Sequence, residues 1–215
     1  DLAYARFLKV FQLSCSDYTA PSAYAMGYTR YVGRDFENAV NWFEKSVKDS
    51  RFTAISNWYI MECRFMIKDY FYVTTKGTAM YDSVPEERKP YLARLISESY
   101  LVLGDADNAR KYLDMHSPKG TPKTRSDWFH SGSVMYAVGD YSSAIEHFNM
   151  MGARADSLGQ IANYQLGYCY IKNRNKVAAM KAFKDAASVK YNESITDDAY
   201  FNYAKLAFDL NDDSS

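Results

Sequence analysis

Trp128 to Phe148 read WFHSGSVMYAVGDYSSAIEHF, and the order of residue types in this stretch decides the fold. Gly139-Asp140 is a turn dipeptide that ends one helix and starts another, because glycine breaks the first and aspartate accepts hydrogen bonds from the free amides opening the second. Eight residues before Asp140 stands Gly132, and four and eight residues after it stand Ala144 and Phe148. The small residues sit where two helices must cross closely. The ring is expected to fill the gap to the next helix pair. The stretch predicts a helical hairpin.

The same grammar recurs in both directions. Asp35, Asp69, Asp105, Asp140 and Asn175 follow one another at intervals of 34, 36, 35 and 35 residues. Four residues on come Ala39, Val73, Ala109, Ala144 and Ala179, and eight residues before come Gly27, Met61, Ser97, Gly132 and Gly167. Phe43, Leu113, Phe148 and Phe183 hold the later bulky position. The second unit departs most, with Met61 for Gly, Val73 for Ala and Gly77 for the aromatic residue, so its second helix is the least determined by pattern. The units run over about 20–50, 54–84, 90–118, 125–155 and 160–191. Ala3, Phe7 and Val10 mark 1–14 as the second helix of a preceding unit, and 196–211 reads as a first helix. The chain is therefore expected to be one array over 1–215, cut from a longer protein.

Trp128, Gly132, Gly139-Asp140-Tyr141, Ala144 and Phe148, with Leu166-Gly167, Tyr170, Ala179, Phe183 and Ala186, resemble the tetratricopeptide repeat (TPR) signature W-x2-L-G-x2-Y, A-x3-F. Pro85 stands where that family's closing proline falls in the second unit. The resemblance implies an all-α chain, a right-handed α-solenoid of antiparallel helix pairs forming a TPR superhelix. The style of the units is similar to the large multi-repeat TPR proteins of Bacteroidetes bacteria. That likeness implies the periplasm or the outer membrane, with the cytoplasm as the alternative.

Composition agrees with long helices. Aromatic residues make up 16%, with 20 tyrosines against 5 prolines and 10 glycines. Lys plus Arg number 26 and Asp plus Glu number 26, so no global charge draws the chain to phosphate backbones or anionic lipid. No stretch approaches a membrane span of about 18 apolar residues. Cys15, Cys63 and Cys169 form neither a CxxC pair nor a disulfide framework and read as small buried residues. His116, His130 and His147 lie in no metal-binding motif, and no phosphate loop or nucleophile elbow is present. Glu86-Glu87, Asp197-Asp198 and Asp212-Asp213 read as solvated turns and caps, and Asn192-Glu193-Ser194 is a formal glycosylation sequon. The chain is expected not to be an enzyme and to need no cofactor or metal.

In the family, the first helix of each pair lines a concave groove. The resemblance puts there Tyr24, Tyr28, Tyr31, Trp58, Tyr59, Glu62, Arg94, Glu98, Phe129, His130, Tyr164, Tyr168 and Lys172. Phe65, Tyr136, Gln165, Phe201, Asn202 and Lys205 extend the set. Aromatic anchors with few charges suit a peptide or protein partner, while the same spacing suits rings packed between helices. Only Arg94 fits the basic and amide residues with which some TPR domains clamp a terminal carboxylate. Two other readings stay open: an RNA-binding helical repeat, invited by the near-35 period, and a solenoid that presents another domain. Oligomeric state is not encoded in these patterns.

Overall fold

A computed structural model of the chain describes residues 2–13, 16–116, 124–152 and 154–212. Cys15 and Asp213 lie outside the described residues, as do Asp1 and Ser14 of the expected preceding helix, residues 117–118 of the third unit and Ala153 of the fourth. The chain divides into two compact units, Asp1–Leu103 and Gly104–Ser215. The first holds α1 (Leu2–Gln12), α2 (Ser16–Val32), α3 (Phe36–Ser46), α4 (Thr53–Met66), a broken helical stretch and α7 (Lys89–Val102). The stretch comprises α5 (Tyr70–Tyr72), a π-helical turn Val73–Gly77, α6 (Thr78–Met80) and two 3-10 turns, Tyr81–Ser83 and Glu86–Arg88. The second unit holds α8 (Ala106–His116), α9 (Arg125–Ala137), α10 (Tyr141–Met150), α11 (Ser157–Lys172), α12 (Lys176–Ala187) and α13 (Glu193–Asp212). Among the described residues there is no strand. The fold is all-α. Within each unit successive helices pack on one another, and the first helices of neighbouring hairpins also touch: α2 on α4, α9 on α11, and α11 on α13. The division between units falls between α7 and α8, inside the third sequence unit.

The caps appear at the expected places. Asp69, Asp140 and Asn175 accept hydrogen bonds from the backbone amides of Tyr72, Ser143 and Ala178, and Asp105 from that of Asn108. Asn108 and Ser143 thereby hold the carboxyls of Asp105 and Asp140 below the usual carboxylate range. Asp35 differs: it caps no backbone amide, and its oxygens take the side-chain amide of Asn38 at 3.0 and 2.9 Å instead. The residue before each cap has left-handed backbone, with φ of 60° at Arg34, 64° at Lys68, 82° at Gly104, 81° at Gly139 and 58° at Arg174. It reverses the chain and directs the amide of the cap residue back to a carbonyl five residues earlier, as from Asp140 to Met135 and Asn175 to Tyr170. A side chain in this conformation costs about 1 kcal/mol that glycine avoids. Arg34→Gly and Lys68→Gly are therefore expected to raise the first unit's stability by up to about 1 kcal/mol each, after allowing for glycine's freer unfolded chain. A urea midpoint that stays put or falls would show that these turns carry no strain.

The small residues earn their place by contact. A Cβ added at Gly27, Gly132 or Gly167 would lie 2.8, 2.6 and 2.6 Å from the rings of Phe43, Phe148 and Phe183 respectively. Each ring thus fills the hollow of its own hairpin, a correction to the expectation that it fills the gap to the next pair. Phe43 serves both, since it also stacks on Tyr59 of the following hairpin at 5.2 Å and 10°. Ala39, Val73, Ala109, Ala144 and Ala179 are all fully buried.

In the second hairpin bulk and hollow change sides. Met61 is buried on α4, and a Cβ at Gly77 would meet its sulfur at 3.5 Å and Ile96 Cγ1 at 3.0 Å. The helix meant to follow Asp69 widens here into the π-helical turn. Val73-Thr74-Thr75 is a β-branched run, and the Thr74 and Thr78 hydroxyls bond to carbonyls one turn back, which loosens the α-helical ladder.

Cys63 and Cys169 occupy one slot, two residues past Met61 and Gly167, and both are fully buried. Burial pushes both thiols up to about 12. In a Cys15→Ser protein, neither is expected to react with a disulfide reagent at mildly alkaline pH until denaturant is added. Rapid titration of either thiol in the folded protein would contradict this burial.

Candidate functional site: the first-helix wall

In the first unit α2 and α4 bring their predicted rings onto a shared ladder, and α7 adds Tyr91 to it. Tyr24, Tyr28 and Tyr31 follow one face of α2, with neighbouring rings stacked at 6.4 and 6.2 Å. Tyr59 on α4 meets Tyr28 and Tyr31 edge-on, at 5.6 and 4.9 Å. These contacts fix the rings against one another. Burial raises the hydroxyl pKa of Tyr59 to about 12 and pushes that of Tyr31 higher still.

Glu62 closes the ladder. Tyr31 donates its hydroxyl to Glu62 Oε2 at 3.0 Å, and the side chains of Tyr91 and Trp58 also hydrogen-bond this carboxylate. Its pKa is raised, because desolvation outweighs those bonds and the nearby Arg88. Trp58 lies 5.8 Å from the Tyr91 ring and carries the Arg88 guanidinium 4.7 Å above its own. Arg94 bonds Glu98 at 2.8 Å, one turn along the same helix. Tyr28 and Tyr91 remain the open faces of the cluster, at 44% and 45% exposure.

Tyr91 and Arg88 escaped the sequence reading. They lie ahead of the positions that repeat, where no periodic signal exists. The Lys89-Pro90 step at the start of α7 was the nearest clue.

The second unit builds its wall on α9, α11 and α13. Ser133 donates to Gln165 at 3.0 Å, linking α9 to α11. Tyr164 and Tyr168 pack edge-on against Phe183, at 6.1 and 5.1 Å, and donate their hydroxyls to Asp198 Oδ2 at 2.7 and 3.0 Å. Asn202 donates to the same oxygen at 2.9 Å. Phe129 is half-buried and 6.4 Å from Phe148. Lys172 and Phe201 are exposed. His130 is 4% exposed, so it is a core residue of the hairpin and not part of an accessible wall. A fully buried Gln160 was also missed: it occurs in one unit only and so left no periodic trace.

The hairpin α11–α12 thus has its Asn175 cap, its Gly167 hollow, its Phe183 knob and its Ala179 crossing in one register. Residues 161–193 match the tetratricopeptide repeat family. That repeat covers most of α11 and all of α12. Over 93% of the chain the fold is similar to the apo form of the quorum sensor NprR from B. thuringiensis, with TM-score 0.60 and 13% identity. The chain spans 62% of that protein's length. At this identity the likeness is one of fold. A search of curated proteins found no match. Among the described residues, no three His, Cys, Asp or Glu side chains converge as metal ligands, and no helix is long and apolar enough to cross a membrane.

Proposed function

We propose that this chain is a non-catalytic protein-interaction scaffold that holds a peptide or a segment of a partner protein against the first-helix walls of its hairpins. The observation that carries the proposal is the ring ladder of the first unit. Its inner rings are locked against one another and against Glu62, while Tyr28 and Tyr91 stay open at its edge. Rigid aromatic surfaces gain contact area on binding with little loss of side-chain freedom. The tetratricopeptide match and a structural neighbour that is a quorum sensor support a role in recognition.

Photo-crosslinking tests it. A benzophenone side chain placed at Tyr28 or Tyr91 is expected to trap a partner in the native host. The same group at Phe71, 75% exposed on the second helix of its hairpin, serves as the control. Tyr28→Ala with Tyr91→Ala is expected to weaken recovery of that partner by roughly tenfold or more, as loss of interface anchors does. Adducts that form equally well at Phe71, or recovery unchanged in the folded double variant, would exclude the wall as the binding face.

A further inference from the structure

We propose that the wall of the second unit contains a receptor for an acidic side chain flanked by apolar ones, carried by the bound peptide. This rests on the reading of the wall as a peptide-binding surface. The site is a cleft of about 520 Å³ where the end of α11, the start of α12 and α13 meet. Its floor is apolar, made by Tyr168, Ile171 and Leu206, and Ile171 is 39% exposed and so open to a ligand. Among the described residues its rim carries Arg174, Lys176 and Lys205 and the carboxylate of Asp209.

This local excess of positive charge departs from a chain whose charges balance overall. Arg174 and Lys205 enter no ion pair among the described residues. Asp198 is not among the residues that line the cleft. Its Oδ2 accepts hydrogen bonds from Tyr164, Tyr168 and Asn202, which fixes Tyr168 in the floor and Asn202 beside it.

Charge complementarity therefore names the occupant. A carboxylate at the rim forms charge-assisted hydrogen bonds beside a surface that excludes water, and its apolar neighbours cover the floor. A lysine or arginine at the same place meets like charge and is rejected. Tyr164 and Tyr168 lead along α11 into the cleft, so the carboxylate is assigned to a side chain within a passing segment.

Phage-displayed random dodecapeptides, fused through their C-termini so that every carboxylate captured is a side chain's, provide the probe. Selection on the whole chain is expected to enrich Asp or Glu beside Leu, Ile or Phe. Fluorescein-labelled copies of the selected peptides are expected to bind Lys205→Glu with Arg174→Glu at least roughly tenfold more weakly than the original protein, and peptides with Lys in place of the acid to prefer the variant. Both positions are exposed, and circular dichroism confirms the variant's fold. Enriched peptides without an acid, or acidic peptides indifferent to the charge reversal, overturn the receptor and leave the wall as a binding surface. Enrichment of no peptide at all removes both.

Discussion

Gly167→Met is expected to cost the second unit about 3 kcal/mol, and Phe183→Gly about 4 kcal/mol or more, yet the double variant should lose much less than their sum. The first change drives a long side chain into a ring that already stands 2.6 Å from the position of its Cβ. The second empties the hollow and adds a flexible residue inside α12. Together they write into the α11–α12 hairpin the arrangement that Met61 and Gly77 hold in the second hairpin, where the larger residue comes from the first helix. Urea denaturation of the four proteins gives the coupling energy directly, and a favourable value of roughly 2 kcal/mol is expected for residues in contact. Strict additivity would mean that bulk and hollow are not one packing unit, and that the exchange in the second hairpin needs its neighbours as well.

Gln160→Ala should be nearly as damaging, although no periodic pattern marks the residue. Gln160 is fully buried near the start of α11. Its Nε2 donates to the carbonyl of Val189 and to Thr196 Oγ1, and its Oε1 accepts from the Asn192 amide at 2.9 Å. One side chain therefore satisfies the backbone where α12 ends and α13 begins. Alanine takes this partner from the buried Val189 carbonyl and the part-buried Asn192 amide and opens a cavity, at a cost of about 3 kcal/mol. Gln160→Glu separates the causes. It keeps the shape but turns a donor into a charged acceptor facing carbonyl oxygen. Its carboxyl pKa in the fold should rise, so the variant should be most stable in acid and lose stability as pH climbs above about 4.3. A Gln160→Glu protein with the pH profile of the original would show that this amide is not the tie between the helices.

These cases show what a one-dimensional pattern can carry. Asp140 and Asn175 were legible as caps because a cap acts within three residues of itself. Gly132 and Gly167 were legible because every hairpin needs a close crossing in the same register. The direction of a ring was harder to read: Phe148 turns into its own hairpin, a choice set by Gly132 rather than by spacing alone. His130 was misplaced for a related reason. Its position is half-buried at Tyr59 and Gln165 but fully inside at His130, since exposure there depends on what the adjacent helix presents. Tyr91, Arg88 and Gln160 have no counterparts in the other units, so only coordinates reveal that they complete the wall and tie the helices. The tyrosines of the wall were readable as a set, whereas the carboxylates that organise them, Glu62 and Asp198, act through hydroxyl bonds that spacing does not encode.

A stack of hairpins is held together link by link, each clasped by the ones beside it, so its toughness is set by the weakest clasp rather than by the average. The π-helical turn over Val73–Gly77 makes the second hairpin that clasp: its helix is broken into short pieces and has no aromatic knob to seat. Strain applied along the chain would concentrate there, and the exposed Lys76 inside the turn would be uncovered to a protease before the evenly built hairpin α11–α12 gave way.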